Sequence, residues 1–131
     1  MIAVDTNVIL RFLTREPAAQ FESAKALFES GGLFISSPVV FEVFFTLTGA
    51  VLAFSDKDAL NALEALFSLP GVSVQDLAAF EAAMSHVRQG LPFKDACVLA
   101  FSQEADELVT FDRQFARQAD KPRLHPAVRL I

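Results

Sequence analysis

The sequence predicts an α/β protein: a three-layer α/β/α arrangement around a central, mainly parallel sheet of about five strands. Two observations carry that expectation. Short apolar segments of strand length, at 2–4, 33–35, 71–74, 107–110 and 127–130, alternate with longer helical segments. No repeat or low-complexity linker interrupts the alternation, which implies right-handed crossovers and a parallel sheet covered on both faces. A third observation bounds the size. The 131 residues, 53% of them hydrophobic and including 14 Phe but no Trp or Tyr, suffice for one compact core and are too few for two. Residues 1–131 are therefore expected to form a single domain.

The elements follow in order. Ile2 to Val4 reads as a buried strand ending at Asp5, and a short helix through Val8, Ile9, Phe12 and Leu13 follows. Pro17 opens a second helix, where a proline suits the first turn, and Gly31-Gly32 closes it. Leu33 to Ile35 is the second strand. Ser37 as N-cap and Pro38 at the first helical position start a helix expected to run to about Ala53. Ser55 caps the next helix, with Asp58 three residues on in a box-like arrangement. Gly71 to Val74 is a short third strand. Asp76 to Gln89 reads as a helix stopped by Gly90, and Pro92 restarts helical structure through Asp95 to about Glu104. Glu107 to Thr110 is the fourth strand, followed by a turn at Asp112 and a short helix; Ala127 to Leu130 is the last strand.

Composition excludes several classes. Met1 runs straight into Ile2-Ala3-Val4, so no signal peptide is expected. The longest apolar run, Pro38 to Phe54, carries Glu42, and a carboxylate facing lipid would cost on the order of 3 kcal/mol, so a buried soluble helix is expected and no membrane span. The single cysteine, Cys97, allows no internal disulfide, which fits the cytoplasm; it reads as a small core residue. The apolar excess, including Phe41, Phe44, Phe45 and Phe54, suggests core or a homodimer interface. Net charge is −5, yet Arg113, Arg117, Lys121, Arg123 and Arg129 make the C-terminal segment basic, either as a solvated face or as a steering surface for phosphates.

Ligands of open parallel sheets bind beyond the carboxyl ends of the strands. Asp5 directly follows the first strand, and Asp112 follows the fourth after one Phe. Asp95 lies in the first turn of the helix that leads into the fourth strand, and Glu42 early in the helix after the second. All four are thus expected at one edge. Glu42 has Pro38, Phe45 and Thr46 as its helical neighbours, and an ionised carboxylate buried there would need a partner or a cation. The competing accounts are helix capping for Asp5, Asp95 and Asp112, and for Glu42 a salt bridge to Arg11 or Lys94. His86 and His125 are isolated and read as a helix-face and a loop residue. Four carboxylates with no His or Cys cluster suit Mg²⁺ or Mn²⁺, hard cations that keep waters and complete their coordination on phosphates. The chemistry such a site serves best is phosphodiester hydrolysis.

Ile-Ala-Val-Asp-Thr-Asn-Val-Ile-Leu at 2–10 resembles the N-terminal signature of PIN domains. Pro38-Val-Val-Phe-Glu42 resembles the family's second motif, Phe93-Lys-Asp95-Ala its third, and Val109-Thr-Phe-Asp112-Arg-Gln-Phe its fourth. The order holds over essentially the whole chain, and the size resembles that of VapC-type toxins of toxin–antitoxin pairs. The resemblance implies a Mg²⁺- or Mn²⁺-dependent endoribonuclease that leaves a 5′-phosphate. It implies Asp5, Glu42, Asp95 and Asp112 as metal ligands, with Thr6, Asn7 and Thr110 supporting them by hydrogen bonds. It further implies an RNA substrate, a small antitoxin partner and a second copy of the chain. Two positions depart from the pattern: Pro92 and Gln114 stand where extra acids are common, which weakens an outer metal site. Arg11, Arg15, Lys94 and Arg113 are the candidate phosphate contacts, by adjacency. The rival readings are a catalytically silent PIN scaffold binding an antitoxin or RNA, and a phosphoacceptor receiver domain. The receiver would need an Asp at the end of the third strand, where Val74 is followed by Gln75-Asp76.

Overall fold

A computed structural model describes residues 1–131 as two compact units, Met1–Gln75 and Asp76–Ile131. The first contains β1 (Ile2–Ala3), α1 (Thr6–Thr14), α2 (Ala18–Ser30), β2 (Leu33–Ile35), α3 (Ser37–Leu47), α4 (Asp56–Phe67) and β3 (Val72–Val74). The second contains α5 (Leu77–Arg88), α6 (Phe93–Ala100), β4 (Glu107–Thr110), α7 (Arg113–Asp120) and β5 (Ala127–Leu130). The α/β class, the five strands and their parallel pairing match the expectation. The strands hydrogen-bond as a sheet of three, β1-β2-β3, and a sheet of two, β4-β5.

In the first unit Ile2 pairs with Leu33, and Leu33 in turn with Val72, so β2 is the central strand. Leu33 and Ile35 are fully buried, as period-two alternation requires of a strand packed on one side. Ile9, Val40, Val43, Leu47, Leu63 and Leu66 complete a core drawn from α1, α3 and α4. Two glycines set the entry to the sheet. Gly71 has φ +76, and a Cβ on it would stand 2.7 Å from the Gly31 Cα. Its carbonyl accepts from Leu33 N at 2.8 Å, which starts the β2–β3 register.

Two helices are shorter than the sequence suggests. The helix expected to reach Ala53 ends at Leu47. The Thr48 hydroxyl donates to Phe44 O, Gly49 N turns back to Thr46 O, and Phe54 N returns to Leu47 O. These local bonds replace the helical ladder at the helix C-terminus. The helix expected to reach Glu104 stops at Ala100, followed by turns. Ser37 is not the N-cap of α3 either: that position is Ser36, whose side chain makes no capping hydrogen bond. Ser55 does cap α4, accepting from Asp58 N at 3.0 Å.

In the second unit α5 packs on α6 through Phe80, Ala83 and Met84 on one side and Phe93, Ala96, Cys97 and Leu99 on the other. α7 is the crossover from β4 to the parallel β5. Arg129 on β5 grips Glu107 on β4 with two bonds, Nη2 to Oε1 at 2.7 Å and Nε to Oε2 at 3.0 Å. That pair is diagonal in the ladder, where long side chains meet across strands. Cover on this pair is incomplete, with Val109 48% and Leu130 41% exposed. No helix of the chain is long and apolar enough to cross a membrane.

Candidate functional site

Asp5 and Glu42 belong to the first unit, Asp95 and Asp112 to the second. Asp5, Asp95 and Asp112 are each placed by a strand end or a helix start, and Glu42 lies midway along α3. Asp5 follows β1 after Val4, whose N–H still donates to Phe34 O, and it is the N-cap of α1. Its Oδ1 accepts from Thr6 N at 2.7 Å, which leaves Oδ2 without a protein donor. Asp112 follows β4 after Phe111 and is the N-cap of α7. Its Oδ1 accepts from Gln114 N at 3.0 Å and Phe115 N at 3.1 Å. Capping, the competing account for these two residues, is therefore real, and it engages one oxygen of each.

The supporting residues differ in what they do. Thr110 Oγ1 accepts from Asp112 N at 3.0 Å and so fixes the backbone that presents this carboxylate. Thr6 is 3% exposed, and its hydroxyl is buried with no hydrogen-bond partner, directly beside Asp5. An orphaned buried hydroxyl costs roughly 1–3 kcal/mol. Asn7 is exposed, and its amide makes no hydrogen bond to the protein.

Asp95 sits half-buried in the first turn of α6. Burial raises its pKa above the ordinary carboxylate value, and the charge of Asp112 raises it further, against a smaller opposing pull from Lys94. Those two carboxylates thus sense each other. This donor chemistry fits a hard divalent cation: a cation between them would remove the repulsion, and carboxylate oxygen is the ligand such ions take. No three His, Cys, Asp or Glu side chains are gathered closely enough to hold a metal ion.

Glu42 departs from the expectation of a buried carboxylate: it is exposed. Val40, Val43, Phe44 and Leu47 form the buried face of α3, whereas Pro38, Glu42, Phe45 and Thr46 form the outward one. Helical neighbours at i−4, i+3 and i+4 share a face, so apolar flanks in sequence do not by themselves bury a residue. Nor does Glu42 form the salt bridge considered for it. Arg11 instead donates from Nε to Gln20 Oε1 at 2.7 Å, and Lys94 is exposed.

Gln75 carries no local signal in the sequence. Its Oε1 accepts from Ser37 N at 2.9 Å, capping α3 from the end of β3, and its backbone N–H donates to Ile35 O. This residue positions the helix that carries Glu42 although it lies 38 residues from Ser37 in sequence. Among the candidate cations, Arg15 lies over the Phe21 ring at 5.8 Å, and Arg113 is exposed at the start of α7. Cys97 is buried, a core residue as expected, and that burial pushes its thiol pKa up to about 12. A cavity of about 540 Å³ among Phe12, Phe21, Phe28, Arg15 and Leu69, and another of about 580 Å³ lined by Asp76, Ala100 and Phe101, hold none of the four acids.

The family model "PIN domain" matches residues 2–121. No curated protein matches the chain. A solved structure, the crystal structure of VapBC2 from Rickettsia felis bound to a DNA fragment from their promoter, matches at 16% identity, covering 100% of this chain and 98% of that one, with a TM-score of 0.39. A likeness that distant leaves function to be argued from the residues.

Proposed function

The chain belongs to the PIN domain family, and from that premise we propose that residues 1–131 act as one metal-dependent endoribonuclease domain, the VapC-type toxin of a toxin–antitoxin pair. The observation that carries the reading is the motif series Asp5, Glu42, Asp95 and Asp112, in family order inside the matched segment. Two of these acids keep a carboxylate oxygen free of protein donors after capping their helices, and burial and the Asp112 charge oppose ionisation of a third, Asp95.

In this reading Asp5, Glu42, Asp95 and Asp112 hold Mg²⁺ or Mn²⁺. When bound, that ion lowers the pKa of a water and neutralises charge on the scissile phosphate. The chain's own residues orient and bind. Thr110 fixes the Asp112 backbone, Thr6 offers its unpaired hydroxyl beside Asp5, and Asn7 offers a free amide in the same helical turn. Arg11, Arg15, Lys94 and Arg113 contact the RNA, the last three at its phosphates, which matters for a chain of net charge −5. The partners are an antitoxin, a second copy of the chain and RNA, and the working compartment is the cytoplasm. The family match supports this reading over the receiver alternative.

The test compares RNA cleavage by wild type and Asp5→Asn in Mn²⁺, Mg²⁺ and EDTA. Asn keeps the cap acceptor and removes the ligand charge. Cleavage by wild type alone, abolished by EDTA, is the expected result. Equal cleavage by both proteins, or cleavage that persists in EDTA, overturns the reading. Folded protein that cuts no RNA but binds Mn²⁺ through Asp5 would instead identify the silent scaffold.

A further inference from the structure

A second recess lies between α1 and α2, about 280 Å³ in volume. Val8 and Leu27 contribute its apolar part, and Asn7, Arg11, Gln20 and Ser23 its polar part. Asn7, in the first turn of α1, lies two residues after Asp5, the N-cap of that helix. Its central feature is the Arg11–Gln20 bond, Nε to Oε1 at 2.7 Å, which crosses from one helix to the other. The bond fixes the guanidinium plane through its inner nitrogen and leaves both Nη groups unpaired. The Asn7 amide has no protein partner. The Ser23 hydroxyl donates to Ala19 O at 3.2 Å and keeps its acceptor lone pairs.

From this geometry we infer that the recess between α1 and α2 takes one unstacked guanine base of the RNA substrate and sets sequence preference next to the cleaved phosphate. The inference rests on the ribonuclease reading above. Sequence-specific RNA recognition works on splayed single-stranded bases, held by apolar or guanidinium surfaces and read at their edges. A guanidinium whose two terminal nitrogens point as a fork matches the adjacent O6 and N7 acceptors of guanine. Adenine presents an amino donor at the position of O6, and pyrimidines lack the pair. Arginine held in place by a neighbouring amide loses less side-chain entropy on binding than a free one. The apolar part accepts the base face, and the free Asn7 amide and Ser23 oxygen remain for its other edge. Gln20 is the positioning residue, since it acts on the base through Arg11.

The experiment measures binding of four labelled oligouridylates, each with a single central G, A, C or U, by fluorescence anisotropy on metal-free protein. The G oligonucleotide is expected to bind on the order of tenfold tighter than the other three, the discrimination one forked contact provides. Gln20→Ala, which frees the guanidinium, and Ser23→Phe, which fills the recess from an exposed position, should each reduce that preference to below about twofold, with circular dichroism unchanged. Equal affinity for all four, no binding of any, or a preference that survives both variants overturns the inference. The same oligonucleotides with Mn²⁺ separate it from the nuclease reading. Cleavage without base preference leaves the nuclease and removes the guanine site. Guanine-selective binding with no cleavage leaves the site and removes the nuclease.

Discussion

Asp95 is held half-buried at the start of α6, where desolvation first and then the charge of Asp112 oppose its ionisation. The two residues come from α6 and the end of β4, and their mutual repulsion is stabilisation given up by the folded chain. A folded pKa above the unfolded one means that ionisation at neutral pH favours the unfolded state. Asp95→Asn is therefore expected to raise the thermal midpoint in EDTA by on the order of 1–2 °C, a small shift because solvent still screens the site. The same change should abolish RNA cleavage. A lower midpoint would show that the carboxylate supports the fold instead.

Asp112 combines two roles that substitution can separate. Asparagine keeps an oxygen for Gln114 N and Phe115 N, whereas alanine offers none. Asp112→Ala should lose about 1 kcal/mol in urea unfolding, the usual cost of a lost N-cap, and Asp112→Asn only a few tenths. Both should be inactive on RNA. Comparable stability loss in the two variants would point to charge rather than capping as the source of the helix-end stabilisation.

His86 gives a pH dependence. Both ring nitrogens are buried without a hydrogen-bond partner, and desolvation holds the pKa below the ordinary 6.5. The unfolded chain takes up the proton more readily, so this contribution is full above about pH 6.5 and is lost as pH falls through that value toward the folded pKa. Urea midpoints of wild type should drop between about pH 7.5 and 5.5 by more than those of His86→Leu. Equal slopes would exclude His86 as the group responsible.

Gly71 is irreplaceable for two independent reasons: a left-handed φ of +76 and the 2.7 Å approach that any Cβ would make to the Gly31 backbone. Strain of this kind costs of order 1–3 kcal/mol. Gly71→Ala should lower unfolding free energy by at least that much, because the opposing atom is main chain and has no rotamer to yield. A neutral result would mean that the Gly31–Gly71 approach relaxes freely in solution.

The sequence by itself determined the order of elements, the parallel α/β class and the family. Short-range physics explains why. Alternation of apolar segments, the Ser55 cap, and the carboxylates following β1 and β4 depend on residues within a few positions of one another. Three of the four candidate acids, Asp5, Asp95 and Asp112, stand where the sequence put them, at a strand end or in the first turn of a helix. Tertiary structure decided the rest. Glu42 is exposed because Val40, Val43, Phe44 and Leu47 face the core, and an almost wholly apolar helix does not disclose which side that will be. The cap of α3 comes from Gln75, and the Arg11 guanidinium is set by Gln20 on another helix. Hydrogen bonds between residues far apart in sequence leave no local pattern, since their partners are chosen only when the chain has closed its core.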